Sequence, residues 1–231
     1  MVPNKKTVRI AGLLFLSMVV FGLFAEIFFR QKLFVLDDAA ATADNVLSNI
    51  FLFRAGIVSD ILMSLSYLFT ALALYMLLVS VNKQLASLMV LFAAAGCVLL
   101  LSNILNQFVP LSMLSASALP GAFTDGQIQS LAMLSYNTSY HGYMIGQVFF
   151  ALWVLPLGVL IYRSKFIPKA FGILFIIEVI CGLLSVLVHF LVPDRSIEDA
   201  LLLPGTIAEF AFMFWLLIRG LNKSKLPALQ S

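Results

Sequence analysis

The chain has 231 residues, 62% of them apolar and 11% charged, with a formal net charge of +3. Soluble domains run nearer about 45–50% apolar and 25% charged, so lipid is the solvent this composition demands and a water-soluble globule is excluded. No basic run is long enough to hold nucleic acid, and six spans of about 20 residues leave little chain for a second, soluble domain.

Taken in order, six apolar segments have the length a bilayer requires: about 9–29, 50–80, 86–110, 138–162, 169–191 and 202–219. Lys5, Lys6 and Arg9 precede the first, which ends without a small-x-small cleavage site and is therefore read as a retained helix, not a signal peptide. Between the first two spans, residues 38–49 are Ala-rich and carry Thr42 and Asn45, which predicts a short interfacial helix. Between the third and fourth, Pro120 and Gly121 predict a turn, with Thr124 or Asp125 capping a helix through Ser135. A helix unbroken from Ile128 to Tyr162 would be about 52 Å long, so a break is expected near Asn137–Ser139. Cys97 and Cys181 both lie in apolar runs and read as small core residues, with no disulfide framework or thiolate metal site.

Basic residues fix the orientation, because cytoplasmic loops are enriched in Lys and Arg. With the N-terminus inside, the cytoplasmic side holds Lys5, Lys6, Arg9, Lys83, Arg163, Lys165, Lys169, Arg219, Lys223 and Lys225 and no acid. The outer loops hold Asp37, Asp38, Asp44, Asp125, Asp194, Glu198 and Asp199 against Arg30, Lys32 and Arg195. The expected fold is an all-α integral membrane protein, one membrane domain over residues 1–231. It is a bundle of six transmembrane helices with both termini cytoplasmic.

Two offsets hint at a repeat. At 160 residues, Gly12, Leu14, Phe15, Val19, Gly22 and Leu23 align with Gly172, Leu174, Phe175, Val179, Gly182 and Leu183; at 149, Gly56 and Asp60 align with Gly205 and Glu209. Helices 1–2 would then repeat in helices 5–6, placing Asp60 and Glu209 at one shared site. Chance matching among apolar residues is the competing explanation.

Three stretches carry a family likeness: Asn49 to Gly56 with Asp60 below it, Leu157 to Pro168 with Gly172, and Glu209 with Trp215 to Gly220. On these the chain resembles a bacterial family of multi-span membrane proteins known only as a domain of unknown function, DUF4386. The resemblance implies the span count and a bacterial plasma-membrane location, and supplies no activity, substrate or catalytic residue.

An ionisable group in a bilayer core costs at least about 2.5–3.5 kcal/mol on insertion scales, so each asks for a partner or a purpose. Glu26, Arg54, Asp60, His141 and Glu209, with Asn103, Gln107 and Gln147, fall mostly in the outer halves of the spans. They predict an outward-facing polar pocket that binds or moves a small polar or cationic solute or a proton. Glu178 is the odd acid, with no basic residue near it in its own span.

A structural account competes, in which Arg54 pairs with Glu26 or Asp60 and the amides stitch helices together, leaving a structural or regulatory partner protein without a ligand. A membrane-embedded hydrolase is the other alternative, with His141, His189, Asp60 and Glu209 as metal ligands. It is disfavoured by the presence of only two histidines and by the lack of a His-Glu-x-x-His motif. Tyr136, Tyr140, Tyr143 and Trp153 read as interface belt and packing. The reading is of a non-enzyme that needs no cofactor, whose partners are the lipid bilayer and a small-molecule or ion ligand.

Overall fold

The computed structural model describes residues 5–115, 121–192 and 195–218. Pro120, Asp194, Arg219, Gly220, Lys223 and Lys225, named above, lie outside them, as do the side chains of Arg195 and Asp199. Every regular element among the described residues is a helix: α1 (Lys5–Phe24), a π-helical turn (Ala25–Arg30), α2 (Gln31–Leu33), α3 (Ala39–Ser48), α4 (Ile50–Leu78), α5 (Lys83–Leu114), α6 (Asp125–Arg163), α7 (Lys169–Leu191) and α8 (Arg195–Ile218). Among the described residues six helices are long and apolar enough to cross a membrane, and the chain is a multi-pass membrane protein.

Local chemistry sets the boundaries. Asp38 caps α3 by accepting a 2.8 Å hydrogen bond from the Ala41 amide, and Thr42 ties the helix back to Val35, whose amide donates to its Oγ1 at 2.9 Å. The expected interfacial helix is present. α6 begins with a capping box at the expected Thr124: the Thr124 amide donates to Gln127 Oε1 and the Gln127 amide to Thr124 Oγ1.

Two expectations are corrected. The first span does not end near residue 29 but continues to Leu33, so Arg30 belongs to a membrane helix and not to an outer loop. The helix starting at Asp125 does not break near Asn137–Ser139; it runs 39 residues, about 58 Å, and its first turns extend past a hydrocarbon core of about 30 Å. The hydroxyls there give no reason for a break. Thr138 Oγ1 donates to the Leu134 carbonyl and Ser139 Oγ to the Tyr136 carbonyl, so both are satisfied within the helix.

The chain divides into two compact units: residues 17–65 with 98–143, and residues up to 16 with 66–97 and those from 144 onward. The first is centred on Phe29, Leu33, Val46, Phe53, Ile57, Ile104 and Leu111. Phe29 meets Phe53 and Phe34 edge-on, and Tyr136 stacks on Phe34 with ring centroids 3.5 Å apart. In the second unit Phe212 is the hub, edge-on to Phe15, Phe171 and Phe175 and stacked on Trp215.

Glycines set how closely the helices approach, as small residues do where lipid provides no hydrophobic drive for association. A Cβ at Gly56 would lie 2.2 Å from the Phe29 ring, and one at Gly172 would lie 2.8 Å from both the Gly158 carbonyl oxygen and the Tyr162 amide nitrogen. The Gly172 contact is with backbone, which cannot step aside. Gly172→Ala is therefore expected to cost about 1–3 kcal/mol of stability in detergent. Gly126→Ala, in open space on α6, should be neutral or stabilising by about 0.5–1 kcal/mol. Thermal unfolding of the two variants beside wild type checks the contrast; equal melting temperatures would refute the close approach.

Candidate functional site

The first unit's polar residues converge on Arg30, the last residue of the π-helical turn. π-Turns often mark functional positions because they re-aim side chains without ending the helix. Here the turn hands Arg30 two carboxylates. Its Nε donates to Glu26 Oε2 at 2.8 Å, one turn back, and its Nη1 donates to Asp60 Oδ2 at 2.8 Å on α4. Gln31 Nε2 completes the set with a 3.2 Å bond to the other Glu26 oxygen.

Burial separates the two acids. The Asp60 side chain is 5% exposed and that of Glu26 is 49% exposed, so the Asp60 contact is the structural one and Glu26 keeps an accessible carboxylate. Breaking a buried pair leaves an uncompensated charge in low dielectric, at a cost of about 3–5 kcal/mol.

A cleft of about 40 Å³ opens beside this group, walled by Glu26, Arg30 and Gln107 and by Tyr136, Ser139, Tyr140 and Tyr143 of α6. It has room for one or two atoms the size of a water oxygen. Its frame is held by amides: Asn103 Nδ2 donates to the Ser139 carbonyl at 2.7 Å, Asn106 Nδ2 to Asn103 Oδ1 at 3.3 Å, and Ser135 Oγ to the Asn106 carbonyl at 3.0 Å. Gly142 lets Asn103 lie against α6, since a Cβ there would fall 2.2 Å from Asn103 Oδ1. Gln107 Oε1 is buried and accepts no hydrogen bond. An acceptor held without a donor in a cleft is what a hydrogen-bond-donating ligand would satisfy.

Of the residues expected in the pocket, Glu26, Asp60, Asn103 and Gln107 come together here. Arg54 does not take the expected place beside Glu26 or Asp60; Arg30 holds it, and Arg54 is exposed, as is His141. Gln147 and Glu209 belong to the second unit. Glu209 lies within electrostatic reach of Glu178 on α7 and of Tyr67 on α4, and Gly205 gives Glu178 its space. Glu178 Oε2, Glu209 Oε1 and the Tyr67 hydroxyl are all buried without a hydrogen bond.

His189 is also in the second unit, its Nδ1 2.8 Å from Glu198 Oε2. Among the described residues no three of His, Cys, Asp and Glu are grouped as a metal would need, so the metal alternative finds no ligand set there.

Arg30 and the α6 wall were missed from sequence although the signal was present. Glu26 and Arg30 are four apart on one helix, the spacing of an ion pair, and Tyr136, Ser139, Tyr140 and Tyr143 follow the i, i+3, i+4, i+7 pattern of a single face.

No curated protein and no solved structure matches the chain. The model of a family described as a domain of unknown function, DUF4386, matches residues 10–220, nearly the whole length. With that match over nearly its whole length, this chain of apolar helices belongs to the DUF4386 family.

Proposed function

We propose that this protein binds, and moves across the bacterial plasma membrane, a small cationic or hydrogen-bond-donating solute at the Glu26–Arg30–Asp60 cleft. The observation that carries the reading is the buried Gln107 oxygen without a donor, set in the wall of a cleft that holds an accessible carboxylate. Two carboxylates stand against one guanidinium, so the site keeps a net negative charge. Tyr136, Tyr140 and Tyr143 make the α6 wall of the cleft aromatic, and an aromatic wall favours an ammonium group. At about 40 Å³ the cleft takes the head of a solute, not the body of a large one.

The orientation belongs to the same proposal. With both termini cytoplasmic, the acidic connections around Asp37, Asp38, Asp44 and Asp125 face outward, and so does the cleft. The repeat draws support from two matching contacts: in each span pair a glycine one turn before an acid touches the preceding span, Gly56 against Phe29 and Gly205 against Glu178.

Radiolabelled methylammonium is a suitable probe. Proteoliposomes of wild-type protein should accumulate it saturably, Glu26→Gln should lower the apparent affinity at least tenfold, and Lys83→Gln should leave it unchanged. Failure of wild type to bind or take up any small amine would leave the cleft a purely structural feature and end this reading. For the orientation, Asp125→Cys should react with an impermeant maleimide on intact cells, and Asn82→Cys only after permeabilisation. The reverse pattern would invert the topology and turn the cleft inward.

A further inference from the structure

The stretch Leu157 to Pro168 with Gly172, which carries part of the family likeness, takes no part in the solute cleft, and it builds a site of its own at the junction of α6 and α7. Backbone contact between Gly158 and Gly172 clamps the end of α6 to the start of α7. The connection between them is tied down in turn. The Ser164 amide donates to the Leu160 carbonyl at 2.9 Å, Ser164 Oγ to the Ile161 carbonyl at 2.8 Å, and the Ile167 amide to Ser164 Oγ at 3.3 Å. Phe166 and Ile167 anchor it, only 5% and 3% exposed.

Because these anchors are buried, the residues between and beside them must face out, and Arg163, Lys165 and Lys169 are all exposed. Together with Tyr162, Ser164, Ile167 and Pro168 they line an open cleft of about 750 Å³, with no acid among the lining residues. The Lys169 ammonium lies 5.2 Å over the Tyr162 ring, which holds it in place. Lys169 is also the first residue of α7, whose N-cap is Pro168 with no side-chain cap bond, so the positive end of a 23-residue helix adds to the same field.

We propose that this cleft binds the phosphate of an anionic phospholipid headgroup, with Arg163, Lys165 and Lys169 as its charge partners and Tyr162 against the glycerol end. Its volume lies in the range of about 300–1,000 Å³ typical of whole-ligand sites, which favours a headgroup over a bare anion. Its place at the ends of two membrane-crossing helices puts the three cations where headgroup phosphates lie, and basic pockets between such helices are known lipid sites. The half-exposed Tyr162 ring is of the kind that settles at headgroup level.

The test uses full-length protein in neutral detergent and measures binding of phosphatidylglycerol and phosphatidylcholine by native mass spectrometry. Wild type should retain phosphatidylglycerol and not phosphatidylcholine. Arg163→Gln and Lys169→Gln should each lower that retention at least tenfold, while Arg163→Lys, which keeps the charge, should retain most of it and so separates lost binding from lost folding. Lys5→Gln/Lys6→Gln should bind as wild type does. Equal retention by all variants, or an equal loss in the Lys5→Gln/Lys6→Gln control, would overturn the site in favour of diffuse surface charge. Displacement of the lipid by millimolar inorganic phosphate would overturn the lipid assignment in favour of a soluble anion.

Discussion

The contact between Arg30 and Asp60 is the interaction on which the first unit depends. A carboxylate 5% exposed on a membrane-crossing helix is tolerable only with its charge balanced, and a single guanidinium on another helix does this at 2.8 Å. Arg30 has a rigid, forked set of donors, so one side chain bonds Asp60 and Glu26 together where a lysine would offer only a point charge. The π-helical turn that ends with Arg30 also carries Phe29, whose ring fills the space left by Gly56 one turn before Asp60. Charge pairing and close packing therefore fix the same two helices at neighbouring points.

The remaining polar groups of the spans follow the same rule, that a buried donor or acceptor must be answered inside the protein because lipid cannot answer it. Asn103, Asn106 and Ser135 answer one another and the backbone between α5 and α6; Ser59 donates to the Phe21 carbonyl at 2.9 Å; Ser64 and Thr70 donate to carbonyls one turn back in their own helix. Against that background the exceptions stand out. Gln107, in the wall of the small cleft, keeps a buried Oε1 without a hydrogen bond, and among the described residues Glu178 Oε2, Glu209 Oε1, the Tyr67 hydroxyl, Trp153 Nε1 and Ser185 Oγ do the same in the second unit. Structural need accounts for the satisfied groups; the unanswered ones are left with their hydrogen-bonding capacity unused.

Much of this was legible in the sequence. The span count follows from runs of about 20 apolar residues, because that is the length hydrocarbon thickness imposes. The short helix after Asp38 and the start of α6 at Thr124 follow from side chains that satisfy free amides at helix ends. Glu26, Asp60, Asn103 and Gln107 could be named in advance because an ionisable or amide group in an apolar run has few innocent explanations.

Partner choice was not legible. Arg54 is six residues from Asp60 on the same helix and Arg30 is thirty away, just past the expected end of the first span, yet it is Arg30 that reaches it. That result depends on a π-turn that carries the helix through Arg30, and on the packing of Phe29 against Gly56, neither of which has a local signature in the chain. The unbroken α6 is similar: its polar stretch at Asn137–Ser139 reads as a break until its hydroxyls are seen to bond their own helix, which brings Tyr136, Ser139, Tyr140 and Tyr143 onto one wall. Sequence determined how many helices cross the membrane and which residues were too polar to be there without cause, since both follow from transfer into lipid. Tertiary structure alone decided which of those residues meet, because a contact between helices depends on rotation and register, and a shift of one residue turns a side chain about 100° around its axis.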